Sequence, residues 1–142
     1  MEQHSTQNTN ANKEAVRLAF EKWTTGTGNF FDLLDEHMIW TITGSTPYSK
    51  TYNGKKEFID QVIDPLNQRL SKKIVPAVRG IYGDADMVIA LWDGVATAKD
   101  GKPYLSSYSW YMQMDKGKII RVTAFLDGIE FANIMKRLKA TP

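Results

Sequence analysis

Apolar residues recur at helical spacing from Asn12 onward. Ala15, Val16, Ala19, Phe20 and Trp23 fall on one face, and Asn12 is a suitable N-cap. The spacing predicts an amphipathic helix that ends where Gly26 and Gly28 interrupt it. Phe30, Phe31, Leu33 and Leu34 crowd into the next one or two turns, a short second helix over 30–36. Met38 to Thr43 is β-branched and aromatic and reads as a strand, followed by a Gly44-Ser45-Thr46-Pro47 turn. A third helix is predicted from Gly54, with Phe58, Ile59, Val62, Ile63, Leu66 and Leu70 near one face. Glu57 near its start and Lys72 and Lys73 near its end suit the helix dipole, and Pro65 should kink or split it.

The remainder reads as an antiparallel meander. Strands are expected over 74–82, 87–97, 104–114 and 118–126, with turns at Gly83-Asp84, Lys99-Asp100-Gly101-Lys102 and Lys116-Gly117. A short helix over 131–138 closes the chain, with Lys136, Arg137 and Lys139 at its end. Helices first and strands afterwards argue for an α+β fold with the helices on one face of an antiparallel sheet.

Alternation assigns the faces. Tyr104, Ser106, Tyr108, Trp110, Met112 and Met114 share one face with Ile120, Val122, Ala124 and Leu126 of the next strand. This face should meet the helices. Large, partly polar Tyr108 and Trp110 beside Ser106 leave two readings open, a ring-filled core or a cavity lined by rings. The opposite face is mixed and suits a sheet-to-sheet homodimer, with Tyr111, Phe125 and Ile119 at its centre.

Composition narrows the function. The 142 residues are 42% hydrophobic and 24% charged, which fits one globular domain over 12–142 behind a disordered polar tail over 1–11. A formal net charge of +2 gives no reason to expect a nucleic-acid partner. The absence of cysteine excludes disulfides, thiolate nucleophiles and cysteine-ligated metal sites. The two histidines, His4 and His37, do not make a histidine metal triad. No apolar run reaches the roughly 18 residues of a membrane span, and the N-terminus lacks the pattern of a signal peptide. The expectation is a cytoplasmic protein with no membrane partner, metal or cofactor.

Certain motifs resemble a family. Phe31-Asp32-Leu33-Leu34-Asp35-Glu36-His37-Met38-Ile39-Trp40-Thr41-Ile42-Thr43-Gly44 is similar to the N-terminal half of a SnoaL-like protein. So are Pro47 and Tyr52-Asn53-Gly54-Lys55-Lys56-Glu57-Phe58-Ile59 after it. Asp100-Gly101, Gly117-Lys118-Ile119 and Phe125-Leu126-Asp127 resemble the family's later part. The likeness spans about Asn12 to Leu138. SnoaL-like proteins belong to the NTF2-like, ketosteroid-isomerase-like superfamily. The resemblance implies a cone-shaped fold, in which a curved antiparallel sheet wraps a long N-terminal helix and two or three shorter ones around a deep pocket. It also implies a homodimer, and a range of activities that includes isomerases, polyketide cyclases, epoxide hydrolases and dehydratases, beside many members with no known reaction.

Placed on that pattern, the ketosteroid isomerase base falls at Thr41 and its acidic donor at Trp110. Neither can do that chemistry near neutral pH. The late acid of the epoxide-hydrolase members falls near Ala124. Asp127 is the best remaining acid, yet Asp127-Gly128-Ile129-Glu130 also has the spacing of a helix capping box. Asp93 stands mid-strand and would need a partner such as Arg79 or Arg121. His37 is a second acid–base candidate, as the one histidine outside the polar N-terminal segment. Candidate ligand-binding residues are Phe20 and Trp23 from the first helix and Trp40, Thr41 and Tyr48 around the first strand and its turn. Phe58 and Val62 from the third helix and Trp92, Tyr108, Trp110, Met112 and Leu126 from the meander complete the set. The expected function is binding of a small, largely apolar organic molecule in an aromatic-lined cavity, with or without isomerase, cyclase or lyase chemistry at Asp127 or His37. A carrier module and a protein–protein adaptor using the sheet face remain the alternatives.

Overall fold

The computed structural model describes residues 2–139, with side chains from Asn8 onward. The helix α1 (Glu2–Thr25) leads into a 3-10 turn (Phe30–Leu33), β1 (Leu34–Ile42) and the short β2 (Thr51–Asn53). A helical stretch over 55–67 follows, made of α2 (Lys55–Phe58), a π turn (Ile59–Ile63) and α3 (Asp64–Asn67). Then come β3 (Leu70–Asp84), β4 (Met87–Ala98), β5 (Pro103–Asp115), β6 (Lys118–Phe125) and α4 (Gly128–Arg137). Among the described residues the strands form one curved, open sheet in the order β2-β1-β6-β5-β4-β3. Strands β3 to β6 are the antiparallel meander that alternation predicts. The β1–β6 pair is parallel, so the sheet is mixed rather than wholly antiparallel.

Several local differences from the sequence pattern have identifiable causes. α1 begins at Glu2, ahead of the expected start at Asn12, so the residues predicted as a disordered tail continue the helix. The tip of the β3–β4 hairpin gives that polar segment a partner. The Thr9 hydroxyl donates to the Ala85 carbonyl at 2.6 Å, and a side chain at Gly83 would collide with Thr9 and Lys13. Met1 and residues 140–142 lie outside the described residues.

Pro65 splits the helical stretch as expected, but the break lies one turn earlier. The Asp64 N–H reaches back five residues to the Ile59 carbonyl, the signature of a π turn. Lys72 and Lys73 are not at a helix end. Leu70 already pairs with Ala98 in the sheet. Lys73 still serves the helix from β3, because its ammonium donates to the Asn67 carbonyl at 2.6 Å.

Ile119 is fully buried and does not sit on the outer face. The β5–β6 register shifts between Gln113 and Met114, pairing Met114 with Ile119 and Gln113 with Arg121. The extra residue of this bulge turns Ile119 inward, which strict alternation cannot anticipate.

The core lies between the concave face of the sheet and the helices. Phe20 and Trp23 of α1 meet Phe30 and Phe31 of the 3-10 turn at 4.7 and 5.8 Å between ring centroids, and the Asn29 side chain caps that turn by accepting from the Phe31 N–H at 2.9 Å. α4 is tied to the β4–β5 hairpin by an Arg137–Asp100 ion pair at 2.6 Å. The same C-terminal end is held by buried Arg69, whose guanidinium donates to the Leu138 carbonyl at 2.9 Å and to the Pro65 carbonyl at 2.7 Å.

Candidate functional site

Size alternation on the concave face leaves the cone hollow. Gly94, Ala96 and Ala124 are small and buried, while Trp40, Trp92, Tyr108 and Trp110 are large. Rings meeting small neighbours on a curved sheet cannot close the space, and a cavity of about 350 Å³ remains. All four tryptophans of the chain, Trp23, Trp40, Trp92 and Trp110, line it. The two readings that alternation left open therefore both hold in part: the rings pack on one another and also enclose a space.

Two stacked pairs form opposite parts of the wall. Trp40 stacks on Phe58 of α2 at 4.1 Å between ring centroids, and Trp92 stacks on Tyr108 at 4.0 Å. Trp110 stands edge-on to both tryptophans, 5.0 Å from Trp40 and 4.8 Å from Trp92. Such contacts fix ring orientation beyond what area burial alone would. Trp23 is anchored from α1 by its indole N–H, which donates to the Ile74 carbonyl at 3.0 Å. Gly94 makes the second stack possible. A Cβ there would come within 3.1 Å of Tyr108 and 3.2 Å of Trp92.

The π turn supplies Ile59, Val62 and Ile63 to the same cavity, followed by Asp64 and Asn67. Asp64 is the one carboxylate on the lining among the described residues, and it is exposed. Lys73 is the lining cation, already bonded to the Asn67 carbonyl. On the far wall Tyr104 and Tyr108 bring phenols. Burial pushes the ionisation of both above the ordinary phenol range, and Asp127 contributes in the same direction. The cavity can therefore enclose an apolar body and offer it neutral hydrogen-bond donors.

Eight of the expected ligand-binding residues meet here: Trp23, Trp40, Phe58, Val62, Trp92, Tyr108, Trp110 and Leu126. Four do not. Phe20 and Met112 lie in the packed core, Tyr48 packs against Phe131 at 5.3 Å, and Thr41 points away from the cavity. The Thr41 hydroxyl instead meets that of Thr51 across the β1–β2 pair at 3.0 Å. Asp127 is exposed and caps α4, its Oδ1 accepting from the Glu130 N–H at 3.1 Å. His37 is exposed on β1, with its backbone N–H donating to Asp35. Neither is part of the cavity lining.

The sequence reading left out Phe31, Ile42, Ile63, Tyr104 and Phe131, which also line the space. Tyr104 shares strand parity with Tyr108 and Trp110, so alternation alone could have included it. Asp93 has the partner it requires. Arg79 donates to its Oδ2 at 2.9 Å and Ser107 to its Oδ1 at 2.7 Å, on the outer face.

No protein-family model matches the sequence, and no relative among curated proteins matches it. Solved structures do. Bal32a, from a soil-derived mobile gene cassette, superposes with a TM-score of 0.74 at 16% identity, covering 91% of this chain and 99% of its own. An NTF2-like protein of unknown function from Burkholderia pseudomallei gives 0.71 at 15% identity, covering 89% and 98%. TerC, co-crystallized with polyporic acid, gives 0.69 at 15% identity, covering 89% and 98%.

Proposed function

Starting from the chain's NTF2-like fold, we propose that this protein binds a small, largely apolar organic molecule inside its cone. The carrying observation is the hollow itself, about 350 Å³ and walled by all four tryptophans. That volume lies within the roughly 300–1,000 Å³ of small-molecule sites. Its chemistry, apolar rings with a few polar atoms, is that of a site for a planar or aliphatic guest. TerC, of the same fold, was co-crystallized with polyporic acid, which supports the reading by analogy only. Binding without proton transfer is the reading favoured here, because among the described residues the lining carboxylate is exposed Asp64, and Asp127 is engaged as a cap.

Equilibrium dialysis against 2-ethylnaphthalene tests it. Saturable one-to-one uptake is expected, and Ala124→Trp, which places a ring in the hollow, should abolish uptake while the protein still unfolds cooperatively. Uptake that is absent, or unchanged by that substitution, rejects the reading.

A second observation favours self-association. Val75, Val95 and Leu105 lie side by side on three adjacent strands, each about half exposed. Exposed Tyr111 and Phe125 meet edge-on at 5.7 Å on the same face. We propose a second copy of this chain as the partner, with the Arg79–Asp93–Ser107 cluster setting its register. Sedimentation should give twice the 16.1 kDa of one chain; a 16.1 kDa species at micromolar concentration would reject the pairing.

A further inference from the structure

We propose that the cavity selects guests carrying a neutral hydrogen-bond acceptor, such as the carbonyl oxygen of a ketone or ester, and that the Tyr104 hydroxyl is the group that receives it. The proposal deepens the binding reading above and rests on it.

Among the described residues, two buried side-chain polar atoms make no hydrogen bond of ordinary geometry: the Trp92 indole N–H, and the Tyr104 hydroxyl, on which the Tyr108 hydroxyl acts without closing such a bond. Both residues line the cavity, and each is about 2% exposed or less. Buried polar groups are nearly always paired in native proteins, because leaving one dry costs stability. Two orphans on one cavity wall point to a partner that enters with the guest.

Their chemistry fixes the kind of partner. An indole N–H only donates, and a phenol has a proton to give. A phenol can also accept, but the one kind of group that serves both orphans is an acceptor. β5 brings the phenols together, with Tyr104 and Tyr108 two inward positions apart and Ser106 between them. Tyr108 in turn stacks on Trp92, so the orphan donors share one neighbourhood. Ser106 is already engaged, its hydroxyl oxygen accepting from the Asp127 N–H at 3.2 Å.

Charge decides between a neutral acceptor and an anion. The carboxylates of Glu130 and Asp127 act on Tyr104, and Asp127 acts on Tyr108. A carboxylate guest at this wall would meet the same repulsion. The lining cation, Lys73, is exposed to solvent and gives one of its three protons to the Asn67 carbonyl. A carbonyl oxygen takes the phenol proton without adding charge.

Three guests of matched shape separate the possibilities: 2-ethylnaphthalene, 2-acetylnaphthalene and 2-naphthoate, measured by equilibrium dialysis with the full-length protein. The ketone should bind about three- to tenfold more tightly than the hydrocarbon, the worth of one neutral hydrogen bond. The carboxylate should bind no better than the hydrocarbon. Tyr104→Phe should bring the ketone down to the hydrocarbon's affinity and leave the hydrocarbon unchanged, and Tyr108→Phe should weaken the ketone less. The inference is overturned if ketone and hydrocarbon bind alike, if Tyr104→Phe weakens both equally, or if the carboxylate binds best. Equal binding of all three would leave the binding reading intact, whereas no uptake of any would remove both.

Discussion

The two faces of one sheet have nearly opposite designs. The concave face carries Trp92, Tyr108 and Trp110 against small Gly94, Ala96 and Ala124, and it encloses space. The convex face carries Val75, Val95, Leu105, Tyr111 and Phe125 half in solvent, around an ion pair held by Ser107. Both are rich in apolar atoms, so hydrophobicity alone does not separate a hollow from an open apolar surface. Curvature does: the same kinds of residue enclose a hollow on one side and stand half in solvent on the other.

The contrast should be largest in stability. Trp110→Ala removes a ring that touches both stacked pairs, and urea unfolding should show a loss of about 3–5 kcal/mol. Val95→Lys with Leu105→Lys should instead leave cooperative unfolding in place and shift sedimentation toward the single chain. Equal destabilisation by the two sets would erase the distinction.

A smaller effect is expected at Gly94, where the stack leaves no room for a side chain. Gly94→Val should cost roughly 1–3 kcal/mol by overpacking Trp92 and Tyr108, and it should weaken guest uptake. Smaller again is the cap. Asp127→Ala should cost about 1 kcal/mol, while Asp127→Asn, which can still accept from Glu130, should be nearly neutral. Guest affinity should follow neither change. A pronounced loss of uptake in the Asn variant would restore Asp127 as a site residue.

pH separates the faces at opposite ends of the scale. Tyr104 ionises above the ordinary phenol range because it is buried. Its share of stability is full below that range and is lost as pH climbs from it toward the elevated folded value. Asp93 lies below the ordinary carboxylate range, held there first by the Ser107 hydrogen bond and then by Arg79. Its share is present above that range and is lost as pH falls toward the depressed folded value. Thermal melts across pH should therefore lose an alkaline component in Tyr104→Phe and an acid component in Asp93→Asn. At neutral pH, Tyr104→Phe should be neutral or slightly stabilising, since it deletes a hydroxyl that makes no hydrogen bond of ordinary geometry.

Most of the fold was readable in the sequence because it is written in local periods. The alternation of β4, β5 and β6 and the glycine turns at Gly101 and Gly117 need only neighbours a few residues apart. Features set by distant partners were not readable. Three residues of β2 are too few to show a period, and they form a strand because Tyr52 pairs with Trp40. The β1–β6 parallel pairing brings together segments some 80 residues apart. Residues 2–11 have no apolar face, and their helix rests on the hairpin tip around Gly83. Ile119 was misplaced because a bulge shifts parity by one. The site was legible to the same degree. The aromatic row on β4 and β5 follows from parity, whereas Phe31 and Phe131 reach the cavity only through the packing of helical turns against the sheet.

The hollow itself is the claim on which the rest stands, and a crystal structure under xenon pressure tests it most directly, since xenon enters apolar cavities. Xenon should appear between the Trp40–Phe58 and Trp92–Tyr108 stacks and be absent from the Ala124→Trp variant. A cone filled by the protein's own side chains, with no xenon among the four tryptophans, would contradict the account.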